Sequence, residues 1–422
     1  MNHRSIRLGS LFVGLICLLG VTGLALADSD LDVGVQVRWR PETERTVVSS
    51  QAMTEAVQHL RTRVTLDFAP GATTHARVML QDSRTLGVMG SGSLANDTNA
   101  GVHEAYLKID EFFHPNLMLQ AGRFELVYGN QRLLGAVGWS NVGRTFDAAR
   151  VSVVQPAWQL DVFRGKLFDR VSTPGRPNDG ADLYGAHMHL KEANADVFGL
   201  LDYVGAKVPN TDDRRLNRFT VGTYSARDFG SNLDYITNAA FQFGTHDSTD
   251  ISAYMVAVEL GLTGGGEKKM RAAVGIDLAS GDSDSTFTGA GVADDDDSSF
   301  SNLYYTGHKF RGIMDQFVSS NRAGLMDIYG KVGFMATPAW WLGADVHFFR
   351  TAAEYTVTSS TGTTSETSAV GIEIDVRAKT KQLENATLEI GGSVFMPDAD
   401  FAAPAEDDME MWGYMAVTVN LP

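Results

Sequence analysis

The chain has 422 residues, with 35 Lys and Arg against 51 Asp and Glu, a net charge of −16 and a single cysteine. That acidity argues against nucleic acid, which needs basic patches, and one cysteine excludes a disulfide framework. No proline-rich linker and no shift in composition divides the sequence into soluble domains.

The first segment, MNHRSIRLGSLFVGLICLLGVTGLALADSD, places Arg4 and Arg7 before an apolar run from Leu8 to Leu26 and ends on Ala25, Leu26, Ala27. This reads as a secretory signal peptide over residues 1–27, cleaved after Ala27. An uncleaved anchor fits less well, because the run holds several glycines and no stop-transfer flank. A lipoprotein signal through Cys17 would need a small residue where Ile16 stands. Cleavage removes two positive charges, no acid and the only cysteine, so the balance moves from −16 to −18. A thiol-free exported chain of roughly 395 residues must then be held by a core or by a closed hydrogen-bonded barrel.

From Asp30 onward the dominant signal has period two, the mark of strands with a different environment on each face. In LDVGVQVRWR, Leu31, Val33, Val35, Val37 and Trp39 alternate with Asp32, Gly34, Gln36, Arg38 and Arg40. The pattern returns at Leu60 to Phe68, Met270 to Leu278, Met326 to Phe334 and Val370 to Val376. A soluble sandwich would alternate in the same way. Segment length decides, since the runs reach about ten residues, enough to cross a bilayer at a tilt. Aromatics gather near their ends, where interfacial girdles would sit: Trp39, Phe68, Trp158, Tyr203, Phe241, Phe243, Trp340, Trp341, Phe348, Phe349 and Trp412.

Short links at Pro70 to Ala72, Gln155 to Ala157, Lys191 to Ala195, Gly264 to Gly266 and Thr337 to Ala339 alternate with long polar ones. The long ones are Pro41 to Ala56, Arg84 to Ala100, Gly129 to Asp147, Asp169 to Gly180, Ser280 to Ala323, Thr351 to Ser368 and Pro397 to Glu410. Short turns on one side and long loops on the other are the plan of outer-membrane barrels. The expected fold is all-β: a transmembrane antiparallel up-and-down β-barrel of about eighteen strands over residues 28–422, both termini on the short-turn, periplasmic side. The link 280–323 is expected to be a partly ordered functional loop, because Tyr304, Tyr305, Phe310 and Phe317 give it apolar surface.

Four stretches carry a family resemblance: QDSR at Gln81 to Arg84, GRFELVYGNQRLLG at Gly122 to Gly135, WSNVGRTFD at Trp139 to Asp147, and SGD at Ser280 to Asp282 followed by LYYTGHKFRGIMDQF at Leu303 to Phe317. In these the chain resembles the alginate export porins of the Gram-negative outer membrane, in the family's order and from end to end of the mature sequence. The resemblance implies a monomeric barrel whose lumen carries basic side chains that attract an anionic polysaccharide or oligosaccharide. It also implies lipid and lipopolysaccharide around the wall and periplasmic export partners. The ending VTVNLP lacks the terminal aromatic that closes many such barrels.

Alternation puts Arg38, Arg40, Arg61, Arg63, Arg77, Arg271 and Arg377 on the wet side, and the family-like stretches add Arg84, Arg123, Arg132, Arg144 and Arg150. These twelve are the expected substrate path, in which guanidiniums exchange two-pronged hydrogen bonds with successive uronate carboxylates. The competing structural role is pairing with lumen acids such as Asp67, Glu104, Glu125, Asp277 and Glu373 to brace the wall. The run Asp294, Asp295, Asp296, Asp297, with Asp282 and Asp284 upstream, is a weak metal candidate that lacks the spaced ligands of a calcium loop. His187 and His189 share a strand face and read as pore-wall histidines. No catalytic motif is present and no cofactor is called for, so the chain reads as a channel and not an enzyme. The leading expectation is passive export or diffusion of an alginate-like uronate polymer. A small-solute porin and a plugged adhesive barrel are the alternatives.

Overall fold

The computed structural model describes residues 30–43, 46–47, 57–86, 100–168, 180–205, 215–264, 266, 269–283, 296–358, 364–401 and 409–421. The expected signal peptide lies outside them, as do Asp294 and Asp295. The first long strands are β1 (Asp30–Glu42), β3 (Val57–Ala69), β4 (Thr74–Leu86), β5 (Gly101–Asp110), β6 (Leu117–Phe124), β7 (Phe146–Val154), β8 (Trp158–Phe168), β9 (Ala181–Leu190) and β10 (Ala195–Val204). The others are β11 (Leu216–Phe229), β12 (Leu233–His246), β13 (Thr249–Gly264), β14 (Met270–Ala279), β16 (Leu325–Met335), β17 (Trp340–Thr358), β18 (Thr364–Thr380), β19 (Ala386–Pro397) and β20 (Glu410–Leu421). Two short pieces, β2 (Thr46–Val47) and β15 (Asp296–Asp297), add to the sheet at β20 and β13.

Each long strand pairs antiparallel with its neighbour in sequence, and β1 pairs with β20 from Val35 opposite Leu421 to Glu42 opposite Tyr414. The eighteen long strands therefore form a closed barrel with both ends of the described chain on the short-turn side. Closure is what a lipid environment demands, because an open edge would leave backbone N–H and C=O groups without partners. Leu421 completes the last pairing.

Alternation decides which side faces lipid. In β13, Ile251, Ala253, Met255 and Ala257 are buried while Tyr254, Val256, Leu260 and Leu262 are exposed, an apolar outer face that a soluble sheet would not present to water. Val274 on β14, 64% exposed, belongs to the same outer band. Three of the expected girdle aromatics turn inward instead. Phe349 is buried against Phe317 and Phe395, Trp412 packs on Trp139 and Tyr414, and Trp341 covers Gly333 and Gly343 beside Arg377. Trp341 and Trp412 do lie near strand ends, Phe349 lies in the middle of β17, and period two puts all three on the lumen face.

A charge at mid-wall tests this sidedness. Val274→Arg should cost about 2–4 kcal/mol of stability in lipid. Equilibrium unfolding in bilayers checks it, and a near-zero cost would place Val274 away from lipid.

Candidate functional site

The lumen is occupied by two links that fold inward. Residues 125–145 join β6 to β7, and residues 296–324 come from the long link between β14 and β16. They are stitched to each other: Tyr304 N–H donates to Leu133 O (2.9 Å), Gly135 N–H to Tyr304 O (2.9 Å) and Thr306 N–H to Gln131 O (3.0 Å). The Thr306 hydroxyl donates to Gln131 Oε1 (2.8 Å) and accepts from Val137 N–H (3.1 Å). Apolar side chains hold them to the wall. Leu126 and Leu134 pack with Phe124, Phe146 and Phe163, while Met314 and Phe317 pack with Phe349, Val370 and Phe395.

One carboxylate ties both links to the wall by charge. Asp277 on β14 accepts from Arg132 of the first link and from Arg311 Nε of the second (3.2 Å). Arg132 also lies over the Phe310 ring, 3.9 Å from its centroid. All three charges are buried, so removing the anion would leave two guanidiniums uncompensated.

The twelve sequence-predicted arginines divide by partner. Arg77 grips Asp67 through two bonds (2.6 and 2.9 Å) and Arg271 grips Asp234 and Glu259. Arg150 pairs with Asp161 (3.4 Å), Arg377 with Asp345 (2.6 Å) and Arg40 with Glu42 (3.5 Å). These, with Arg132, brace the barrel. Arg38, Arg61, Arg63 and Arg144 differ: none has a carboxylate partner among the described residues. Arg38 donates to the carbonyls of Gly138 (2.8 Å), Trp139 (2.9 Å) and Ser140 (3.0 Å), and Arg61 to those of Gly138 and Ser140 (3.1 Å each). Arg63 meets Gln81 (2.7 Å) and His103 (3.1 Å), and Arg144 donates to Tyr305 O (3.1 Å). These partners are uncharged oxygens, with the His103 ring added at Arg63, and leave the positive charge in place, while Nε of Arg38 and of Arg61 has no partner among the described residues.

Two of the twelve do not line the lumen. Ser83 and Phe124 contact the inward link, so period two turns their neighbours Arg84 and Arg123 to the outer face. There Arg84 pairs with Asp82, and Arg123 pairs with Asp147 through two bonds of 2.7 Å. The family-like stretches indicated that these arginines mattered but carried no side. Of the aspartate run, Asp297 accepts from Ser299 N–H (2.9 Å). His187 and His189 both hold Asp196, at 3.2 and 2.6 Å.

Two cavities flank the inward links. The outer one, about 720 Å³, is lined by Arg40, His59, Arg144 and Tyr305 among others. The inner one, about 770 Å³, carries Arg38, Arg63, Arg132, Lys309 and Arg311, joined from the far strands by Lys331, Arg377 and Lys379. Its acids are Glu125, Glu259, Asp277, Asp327 and Glu389, so the lining has three more basic than acidic groups although the chain is strongly acidic. Trp139 and His308 belong to both linings, and their rings stack with centroids 3.8 Å apart and planes within 5°. His308 is held by Asp315 (3.0 Å).

Lys309 and Arg311 were not singled out from the sequence. They lie in the GHKFRG stretch, whose lack of periodicity hid which residues point inward. Lys309 pairs with no carboxylate among the described residues, and burial lowers its pKa from the usual lysine value. Burial likewise lowers that of Arg144, and it raises the Tyr305 hydroxyl to about 12.

The alginate export family model matches residues 29–413. Among solved structures, the chain is similar to OccK3 (OpdO) of Pseudomonas aeruginosa, with a TM-score of 0.61 and 11% identity over 93% of this chain and 96% of that one. OccAB3 of Acinetobacter baumannii gives a TM-score of 0.61 at 10% identity over 93% and 99%. OccK2 (OpdF) of Pseudomonas aeruginosa in complex with glucuronate gives 0.57 at 12% over 93% and 96%. At these identities the likeness concerns the fold. No match was found among curated proteins.

Asp277→Asn should destabilise the folded state by about 3–5 kcal/mol, the range for removing one partner of a buried charge cluster. Urea unfolding in micelles measures this, and a loss below about 1 kcal/mol would show that the two arginines do not depend on Asp277.

Proposed function

The chain belongs to the alginate export family, and from that premise we propose that this outer-membrane barrel passes an anionic uronate polymer or oligomer through its lumen. The observation that carries the reading is the set of lumen cations that form no ion pair with a carboxylate among the described residues: Arg38, Arg61, Arg63, Arg144 and Lys309. A positive charge in a low-dielectric wall attracts anions far more strongly than the same charge in water. Planar guanidiniums suit carboxylates, and each contact stays weak enough to release because the donors are shared with backbone carbonyls. Arg63 and Lys309 face the inner cavity and Arg144 the outer one, so a linear anion meets charge on both sides of the Trp139–His308 pair. The glucuronate complex of OccK2 supplies a precedent on this fold for a uronate ligand. The paired arginines contribute little to selectivity, since their acids already cancel them.

Reversal potential across a planar bilayer in a salt gradient tests the proposal. The wild-type pore should prefer anions and be blocked by oligouronates. Arg38→Gln with Arg63→Gln should lower the anion-to-cation permeability ratio several-fold, while Arg77→Gln with Asp67→Asn, which removes a neutral pair together, should change it little. Conductance without anion preference or block would favour a small-solute porin, and no conductance would favour a plugged barrel.

Lys309 gives a pH dependence. With its pKa lowered by burial, raising pH discharges it before ordinary lysines, so anion preference should fall on the alkaline side. Lys309→Met should flatten that part of the profile. An unchanged profile would remove Lys309 from the path.

A further inference from the structure

The inward faces of β16 to β19 bring together Asp327, Asp345, His347, Glu373, Asp375 and Ser393, and all six are buried. Asp345 stands directly across from Asp375, and His347 across from Glu373. His347 Nδ1 lies 2.8 Å from Asp327 Oδ2, so Asp327 holds the Nδ1–H tautomer. The other ring nitrogen, Nε2, is 3.8 Å from Asp375 Oδ2, beyond hydrogen-bond reach. Ligand atoms of Asp345, His347 and Asp375 all lie within 4.8 Å of one another.

Charge and hydrogen bonding are both incomplete in this cluster. Four carboxylates meet Arg377, which pairs with Asp345 (2.6 Å), and one imidazole, with Arg311 and Lys331 acting on Asp327 from the edge of the cluster. Glu373 Oε2 and Asp327 Oδ1 are buried with no hydrogen-bond donor, and the Glu373 carboxyl contacts that of Asp375. Buried anions left in this condition are costly. A divalent cation held between Asp345, His347 and Asp375 would offset the excess negative charge.

We propose that Asp345, His347 and Asp375 form a divalent metal site in the barrel wall, with Asp327 as the partner that orients His347. An ion bonded to imidazole nitrogen and carboxylate oxygen at about 2.0–2.2 Å fits between atoms 3.8 Å apart. One imidazole with two carboxylates suits Zn²⁺ and similar borderline ions better than Ca²⁺ or Mg²⁺, which take oxygen shells. The Asp327–His347 contact has the form by which metal-bound histidines are fixed. The position also matters for the lumen. Asp375 accepts from Ile313 N–H (3.2 Å) and Ser393 Oγ (2.6 Å), and Glu373 accepts from Met314 N–H (2.9 Å). Gly312 lies so close that a Cβ there would collide with the Glu373 carboxyl. An ion at this point ties the second inward link to the wall.

The test uses untagged, full-length barrel in detergent, stripped with EDTA and titrated with Co²⁺ while visible d–d bands are recorded, then with Zn²⁺. Wild type should take up one equivalent of Co²⁺, displaced by Zn²⁺. His347→Gln and Asp345→Asn should lose the spectrum while keeping heat-modifiable mobility on gels, and Asp327→Asn should weaken binding about 10–100-fold. A wild-type spectrum no stronger than that of His347→Gln would overturn the proposal and leave a proton as the shared cation. Undiminished bands in both His347→Gln and Asp345→Asn would place the ion elsewhere and overturn it equally.

Discussion

Backbone hydrogen bonding in a medium without water is the constraint from which the rest of this molecule follows. A strand in hydrocarbon must pair on both edges, so β1 must find β20, and the sheet must be large enough to close. Closure sets the sidedness: one residue in two faces lipid and is apolar, and the next faces an enclosed space. Eighteen strands enclose more volume than their own inward side chains fill. The links at 125–145 and 296–324 enter that space, and their Phe, Leu, Met and Trp side chains give the barrel an interior core.

An interior of this kind is also a store of buried charge. Most of it is compensated locally, across neighbouring strands, as in Arg77 with Asp67 and Arg271 with Asp234 and Glu259. Asp277 works across a longer distance in sequence and holds an arginine from each inward link. Against this background the arginines that no carboxylate pairs stand apart, because contacts with uncharged groups leave a net charge to act on a solute. The opposite imbalance occurs at β16 to β19, where carboxylates outnumber cations. The lumen thus has a basic region bounded by β1, β3 and the 125–145 link, and an acidic region under the 310–314 segment.

Strand periodicity, most of the short and long links and the strand number were legible in the sequence, because each follows from residue type and spacing; the stretch Thr351 to Ser368, read as a long link, is instead mostly strand in β17 and β18. Arg38, Arg40, Arg61 and Arg63 could be assigned to the lumen from alternation alone, since period two within a strand needs no tertiary information. Arg84 and Arg123 stand out in the sequence only as members of family-like stretches, and membership of a stretch does not say which face a side chain takes. Only the structure showed that their neighbours Ser83 and Phe124 occupy the lumen face. Trp412 illustrates a related gap, since an aromatic near a strand end looks alike whether it meets the membrane interface or a loop folded inside.

The sequence by itself determined that the chain forms a closed membrane sheet with a polar interior, because hydrophobic period and segment length leave no other way to satisfy the backbone in lipid. Only the tertiary structure decided which arginines keep their charge and which have it cancelled by a neighbour. That outcome depends on groups tens to hundreds of residues apart, such as Arg132 with Asp277 and Arg38 with Gly138. They meet because two irregular links fold into the barrel, and irregular links carry no periodicity from which their inward side chains could be read.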